Sequence, residues 1–206
     1  MTKKLILTSL LCATVLYAGD TNSTTLNADK NITKAKTTVK KLSKKQEGIK
    51  YIKMLGRTLK THLKAEMKAD KTALKAIDFC ATKADKLTKE VNAKLPKNAK
   101  VRRTSLLTRN ENNKPDALDK AIMEEIISDM NKTNIDVSKP LMVETPTSYR
   151  VYKPLFVKPV CLKCHGTSKD VSAKVQKAII SKYPNDKAVG FKQGDLRGVI
   201  VSEITK

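Results

Sequence analysis

The chain has 206 residues with 42 Lys or Arg against 20 Asp or Glu, a net charge of +22 at neutral pH. That length allows one compact core after an N-terminal leader, and no stretch beyond the leader is apolar enough to span a bilayer. Nucleic acid is excluded as the target of this charge: Lys far outnumbers Arg, aromatics are 4% with no Trp, and no nucleic-acid-binding motif occurs.

Residues 1–18 have the anatomy of a secretory signal peptide. Lys3 and Lys4 open it, Leu5 to Tyr17 is almost wholly apolar, and Ala18 precedes the cut before Gly19. Cys12 leaves with the signal, and loss of Lys3 and Lys4 lowers the net charge to +20. An uncleaved membrane anchor is the competing reading, because Leu16 is a mediocre residue two places before the cut. Residues 19–43 are dominated by Thr, Asn and Lys, with little to bury, and are expected to form a flexible tether. Residues 44–206 form the domain. The location is periplasmic on this reading, where the charge suits an acidic redox or signalling partner or peripheral contact with an anionic membrane surface.

A helical period begins near Lys44. Ile52, Leu55, Leu59, Leu63 and Met67 fall on one stripe, and Leu74, Ile77, Ala81, Ala84, Val91 and Leu95 extend the pattern until Pro96. Cys80 projects within about 50° of the centre of that second seam, toward the core or something buried in it. In an oxidising compartment such a thiol is buried and inert, paired with another molecule, or occupied by a ligand. His62 sits at the edge of the first stripe as a packed histidine or a metal ligand. A strand is expected over Val101 to Leu107, a helix on Leu118, Ile122, Ile126 and Met130, and a strand from Ser148 to Val157. Thr167 or Ser168 caps a further helix that ends at Pro184, and a last strand runs from Leu196 to Ile204.

Between the strand ending at Val157 and the helix capped by Thr167 or Ser168 lies the stretch with the most chemistry, Cys161-Leu162-Lys163-Cys164-His165. Two thiols three positions apart reach two vinyl groups of one porphyrin, and the adjoining imidazole meets the iron from one side. This is the attachment signature of haem c, with Cys161 and Cys164 as thioether donors and His165 as proximal ligand. A disulfide or redox pair, a zinc site completed by Cys80, and a chance match compete with it. Paired carboxylates, a Ser-His-Asp set and a phosphate loop are all missing, so the chain reads as a non-enzyme.

Several ordered blocks carry a resemblance. They are Ala76-Ile77-Asp78-Phe79-Cys80, then Arg103-Thr104-Ser105 with Arg109-Asn110 and Asn113-Lys114-Pro115-Asp116, Tyr152-Lys153-Pro154-Leu155, the Cys161 to Gly166 run, and Gly194-Asp195-Leu196-Arg197-Gly198. From about Lys50 onward the chain resembles the single-haem c-type cytochrome family with a PAS-like fold, typified by a cyanobacterial member. It departs from the family at Glu111, where a Pro is usual, and at Ala117 and Leu118, where a Trp is usual. The resemblance implies an α+β fold: an antiparallel sheet with flanking helices and a long N-terminal helical arm. It also implies one covalent haem with Cys80 as distal iron ligand opposite His165, and a role in low-potential electron transfer or in redox or small-ligand sensing. Arg103 and Arg109 are candidates for the haem propionates, since guanidinium forks suit carboxylates. The alternative is a haem-free periplasmic binding module with zinc or a disulfide at the Cys-x-x-Cys-His run. Mass spectrometry of the exported protein is expected to give Gly19 as the first residue; intact Met1 in the membrane fraction would make the protein an anchored one.

Overall fold

Alternating apolar residues build four antiparallel strands: β1 (Ala99–Thr104), β2 (Leu141–Glu144), β3 (Ser148–Phe156) and β4 (Leu196–Thr205). Their order is β1-β4-β3-β2, so the strand latest in sequence lies inside the sheet. The helices are α1 (Lys44–Ala69), α2 (Leu74–Thr82), α3 (Ala84–Asn92), α4 (Ala117–Asp129), the single turn α5 (Leu162–His165) and α6 (Ala173–Lys182). This is the α+β arrangement expected, with its long N-terminal helix. The computed structural model describes Leu42 to Lys206 apart from Asn131, Thr133 and Asn134. The signal peptide and all but the last two residues of the tether lie outside the described residues.

Both faces of β4 are covered. Ile200 and Ile204 point to one side, where they meet Tyr51, Ile52, Leu55 and Leu59 of α1 together with Val101 and Val151. Val199 and Val201 point to the other, against Ile122, Met123 and Ile126 of α4 and Tyr152 of β3. Each of these fully buried aliphatic side chains stabilises the fold by about 2 kcal/mol. Capping boxes fix where both helices begin. Ser43 accepts the Gln46 N–H and Gln46 returns the bond to Ser43, while Asp116 and Asp119 do the same for α4. Asp119 is fully buried, and it accepts the Tyr152 hydroxyl at 3.0 Å and pairs with Arg102 at 2.5 Å and Arg150 at 3.4 Å.

Three expectations need correction. The second helical stretch is two helices meeting at Lys83, where φ is −114° and ψ −28°. Thr82 there donates its hydroxyl to the Asp78 carbonyl at 2.8 Å, and the break shifts the phase of the stripe so that Ala81 is exposed while Ala76, Ile77, Phe79, Ala84 and Val91 are buried. The first strand stops at Thr104, because Ser105 turns to hydrogen-bond the Arg197 carbonyl at 2.7 Å. The helix before Pro184 starts at Ser172; Thr167 instead closes a local turn with Asp170. The short strand β2 is an element the pattern did not announce. Among the described residues no helix is long and apolar enough to cross a membrane.

Gly48 marks the closest approach of α1 to the sheet. A Cβ there would fall 2.5 Å from Val151 Cγ2 and 2.6 Å from Ser202 Oγ. Gly48→Leu is therefore expected to cost about 3 kcal/mol by overpacking, read as a lower urea midpoint with an unchanged slope.

Candidate functional site

The Cys-x-x-Cys-His run leaves β3 through a 3₁₀ turn, Pro159–Cys161, and continues as α5. Pro159 suits the first position of that turn because it has no N–H to leave unsatisfied. Gly166 ends it tightly: a Cβ there would lie 2.6 Å from Asp170 Cβ and 2.8 Å from the Leu162 carbonyl. Cys161 and Cys164 thus stand one helical turn apart. Cys161 packs against Val157, Ala188 and Phe191, and Cys164 against the cluster formed by Ile77, Val175 and Ile179. Cys80, on α2, packs with Phe79 against the core beneath α1. The three thiols therefore lie where separate apolar clusters adjoin, and all three are unpaired.

His165 is positioned by the backbone. Its Nδ1 lies 2.9 Å from the Ala188 carbonyl, an acceptor, so Nδ1 carries the proton and Nε2 keeps its lone pair. The Phe191 N–H donates back to the His165 carbonyl at 3.0 Å, and the Phe191 ring meets the imidazole edge-on at 6.2 Å between centroids. Burial, helped by Arg197 and Arg109, pushes the imidazole down to about 3, so it is neutral throughout the physiological range. A neutral imidazole with one nitrogen anchored and the other free is the state in which histidine ligates a metal. Burial also pushes the Cys164 thiol up to about 11 and raises Cys80, the latter against the pull of Arg103, Arg109 and Arg197.

Arg109 and Arg197 flank this turn, and Arg103 lies where its charge reaches Cys80. Arg109 is buried, and its Nη2 donates to the Cys164 carbonyl at 2.7 Å, the Asp186 carboxylate at 2.9 Å and the Ala188 carbonyl at 3.1 Å. Asp186 also accepts the Ala188 N–H at 2.8 Å. Arg103 lies 3.7 Å from Asp85, which is itself held by Asn110 at 2.8 Å and Asn112 at 3.0 Å. Arg197 donates to Ser105 Oγ at 2.8 Å and the Leu107 carbonyl at 3.1 Å and stacks over Phe191 at 5.3 Å. In all three the Nε is buried without a partner. Burial, reinforced by Arg109, pushes the Arg197 guanidinium down to about 10.

The structure thus gathers Arg109, Cys161, Cys164 and His165 around one turn, while Arg103 stands apart at Asp85 and its charge, with that of Arg109, reaches Cys80. Arg197, Asp186 and Phe191 are site residues that sequence reasoning did not assign. The signal available for Arg197 was its place between Gly194 and Gly198; a Cβ at Gly198 would fall 2.4 Å from the Thr104 carbonyl, so β4 passes this corner only without a side chain. His62 is exposed and stacks on Phe79 at 5.9 Å, and Met142, whose thioether could also ligate iron, is exposed on the edge strand β2. Among the described residues no group of three or more His, Cys, Asp or Glu side chains is set to hold a metal ion. A tetrahedral zinc site needs its ligand atoms around one point, whereas haem ligands stand on opposite sides of a plane.

The chain is thus an antiparallel α+β domain that presents a neutral imidazole beside two thiols on one turn. The chain belongs to the Tll0287-like family, whose model matches residues 20–205. A solved structure, that of the cyanobacterial haem protein Tll0287, is 29% identical to it with a TM-score of 0.49, covering 60% of this chain and 70% of that one. No curated protein matches the chain.

Asp186 is the only carboxylate paired with Arg109 among the described residues, and both side chains are under one-tenth exposed. Asp186→Ala is expected to cost about 3 kcal/mol, because it leaves a buried guanidinium uncompensated. Urea denaturation checks this, with Lys139→Ala, at an exposed ion pair, as the near-neutral control.

Proposed function

We propose that this chain is an exported, single-haem c-type protein that works in low-potential electron transfer or redox sensing, and that it is not an enzyme. The observation that carries the reading is the His165 imidazole, neutral, anchored through Nδ1 and free at Nε2, on the same turn as Cys161 and Cys164. Membership of a family named after a haem protein supports it. The residues fit the group. Two thiols suit thioether attachment, one imidazole suits the iron, and three guanidinium groups whose Nε atoms are buried without a partner among the described residues suit an anionic ligand rather than a bare cation.

When bound, the haem supplies reversible one-electron chemistry at iron. The chain supplies everything around it. Cys161 and Cys164 would hold the macrocycle, His165 would ligate from the side fixed by Ala188, and Cys80 would face the opposite side. The Cys80 thiol is held protonated by burial, so a thiolate there requires a bound cation. Thiolate donation favours ferric iron and sets a low potential compared with a Met/His pair.

The partner we propose is acidic, a redox protein or an anionic membrane surface in the periplasm. Lys50, Lys53, Arg57, Lys60, Lys64 and Lys68 recur every three or four residues along α1, all exposed, and none forms an ion pair among the described residues. Like charges at that spacing repel one another along a helix, and an opposing anionic surface relieves the repulsion.

The test is a visible spectrum and a denaturing gel of protein made in cells with a haem-attachment system. Haem is expected to stay on the denatured chain, to be lost in Cys161→Ala/Cys164→Ala, and to stay in Cys80→Ala with a raised reduction potential and new affinity for carbon monoxide. A colourless full-length protein containing zinc would establish the haem-free binding module instead.

A further inference from the structure

The three arginines at the site are not equivalent. Arg109 has a carboxylate partner and two carbonyls, which tie the Cys164 and Ala188 backbones together. Arg103 has Asp85, at 3.7 Å. Arg197 forms no ion pair among the described residues. Its Nη1 is held by neutral acceptors, Ser105 Oγ and the Leu107 carbonyl, its carbon lies over the Phe191 ring, and its Nε is buried without an acceptor.

Two carboxylates thus face three guanidinium groups, and the uncompensated charge falls on Arg197. A cation with part of its guanidinium buried and no ion partner destabilises a fold, so a side chain held in that state by two hydrogen bonds and an aromatic face is oriented for a counter-ion that the described residues do not provide. The missing partner must be anionic, small enough to reach a side chain enclosed between Ser105, Leu107 and Phe191, and adjacent to His165, because the same Phe191 ring touches both the imidazole and the guanidinium. Resting on the haem reading above, we propose that Arg197 is the residue that pairs with a carboxylate of the bound haem, with Arg109 acting instead as the backbone tie that positions the attachment turn. This moves the propionate role from Arg109 to a residue on β4.

The assignment predicts opposite effects in the two forms of the protein. Thermal unfolding is measured for the parent and Arg197→Met, each made with and without haem attachment. Arg197→Met is expected to raise the haem-free midpoint, by removing an uncompensated charge, and to lower the haem-loaded one, by removing the carboxylate's partner. A midpoint lowered in both forms would make Arg197 a structural bridge between Ser105 and Leu107 and overturn the assignment. Resonance Raman of the haem-loaded protein gives a second reading that does not depend on the haem-free form being folded. The carboxylate bending band is expected to shift in Arg197→Gln and stay in place in Arg102→Gln, which breaks the ion pairs to Asp116 and Asp119; an unshifted band in Arg197→Gln overturns the assignment. A parent that carries no covalent haem overturns the haem reading itself and this assignment with it, an outcome distinct from either of the others.

Discussion

The site depends on one carbonyl group, that of Ala188. It accepts from His165 Nδ1 at 2.9 Å and from Arg109 Nη2 at 3.1 Å, and so ties the imidazole, the attachment turn and the loop before β4 to a single oxygen. Ala188 is fully buried, and the loop that carries it is held at both ends: Lys187 N–H donates to the Thr108 carbonyl, and Phe191 N–H to that of His165. Asp186 closes the circuit by holding Arg109 and the Ala188 N–H together. A single-turn helix has too few internal hydrogen bonds to stand alone, and α5 is rigid because this ring of contacts surrounds it.

On the proposed haem reading, positive charge near His165 and a low potential would pull in opposite directions. Guanidinium groups disfavour the more positively charged ferric state, whereas thiolate donation and anionic carboxylates favour it. Compensation of the arginines by haem carboxylates would resolve the opposition. Such terms are large only in low-dielectric surroundings, which the apolar clusters packed against Cys161, Cys164 and Cys80 supply.

Much of this was legible in the sequence. The α1 stripe, the strand β3 and the two-faced apolar strand β4 follow from period alone, and the spacing of the Cys161 to His165 run predicts the single turn on which the structure places its thiols and imidazole. Other parts carry no such signal. The anchor of His165 is a backbone carbonyl, which any residue in place of Ala188 would also possess. Arg197 reads as one more cation in a chain rich in them, and its isolation is visible only once Ser105 and Phe191 are brought beside it. The break at Lys83, next to the Thr82 hydroxyl that bonds the Asp78 carbonyl, is a local change of backbone that leaves the apolar spacing looking continuous. Strand β2 is four residues long on an edge, too short for alternation to distinguish it from loop.

The sheet order has a consequence for how the molecule comes to exist. β1 and β3 are separated by more than forty residues and touch β4 but not each other, so β3 pairs only with β2, and β1 with no strand, until Leu196–Thr205 is available. For a polypeptide that passes through a narrow channel amino end first, the sheet cannot close midway. The turn that carries Cys161 and Cys164 also precedes β4 in the chain, so it is complete before the strand that closes the sheet. Pairing of distant segments is slow, and here that slow step, the joining of β1 to β4, comes last.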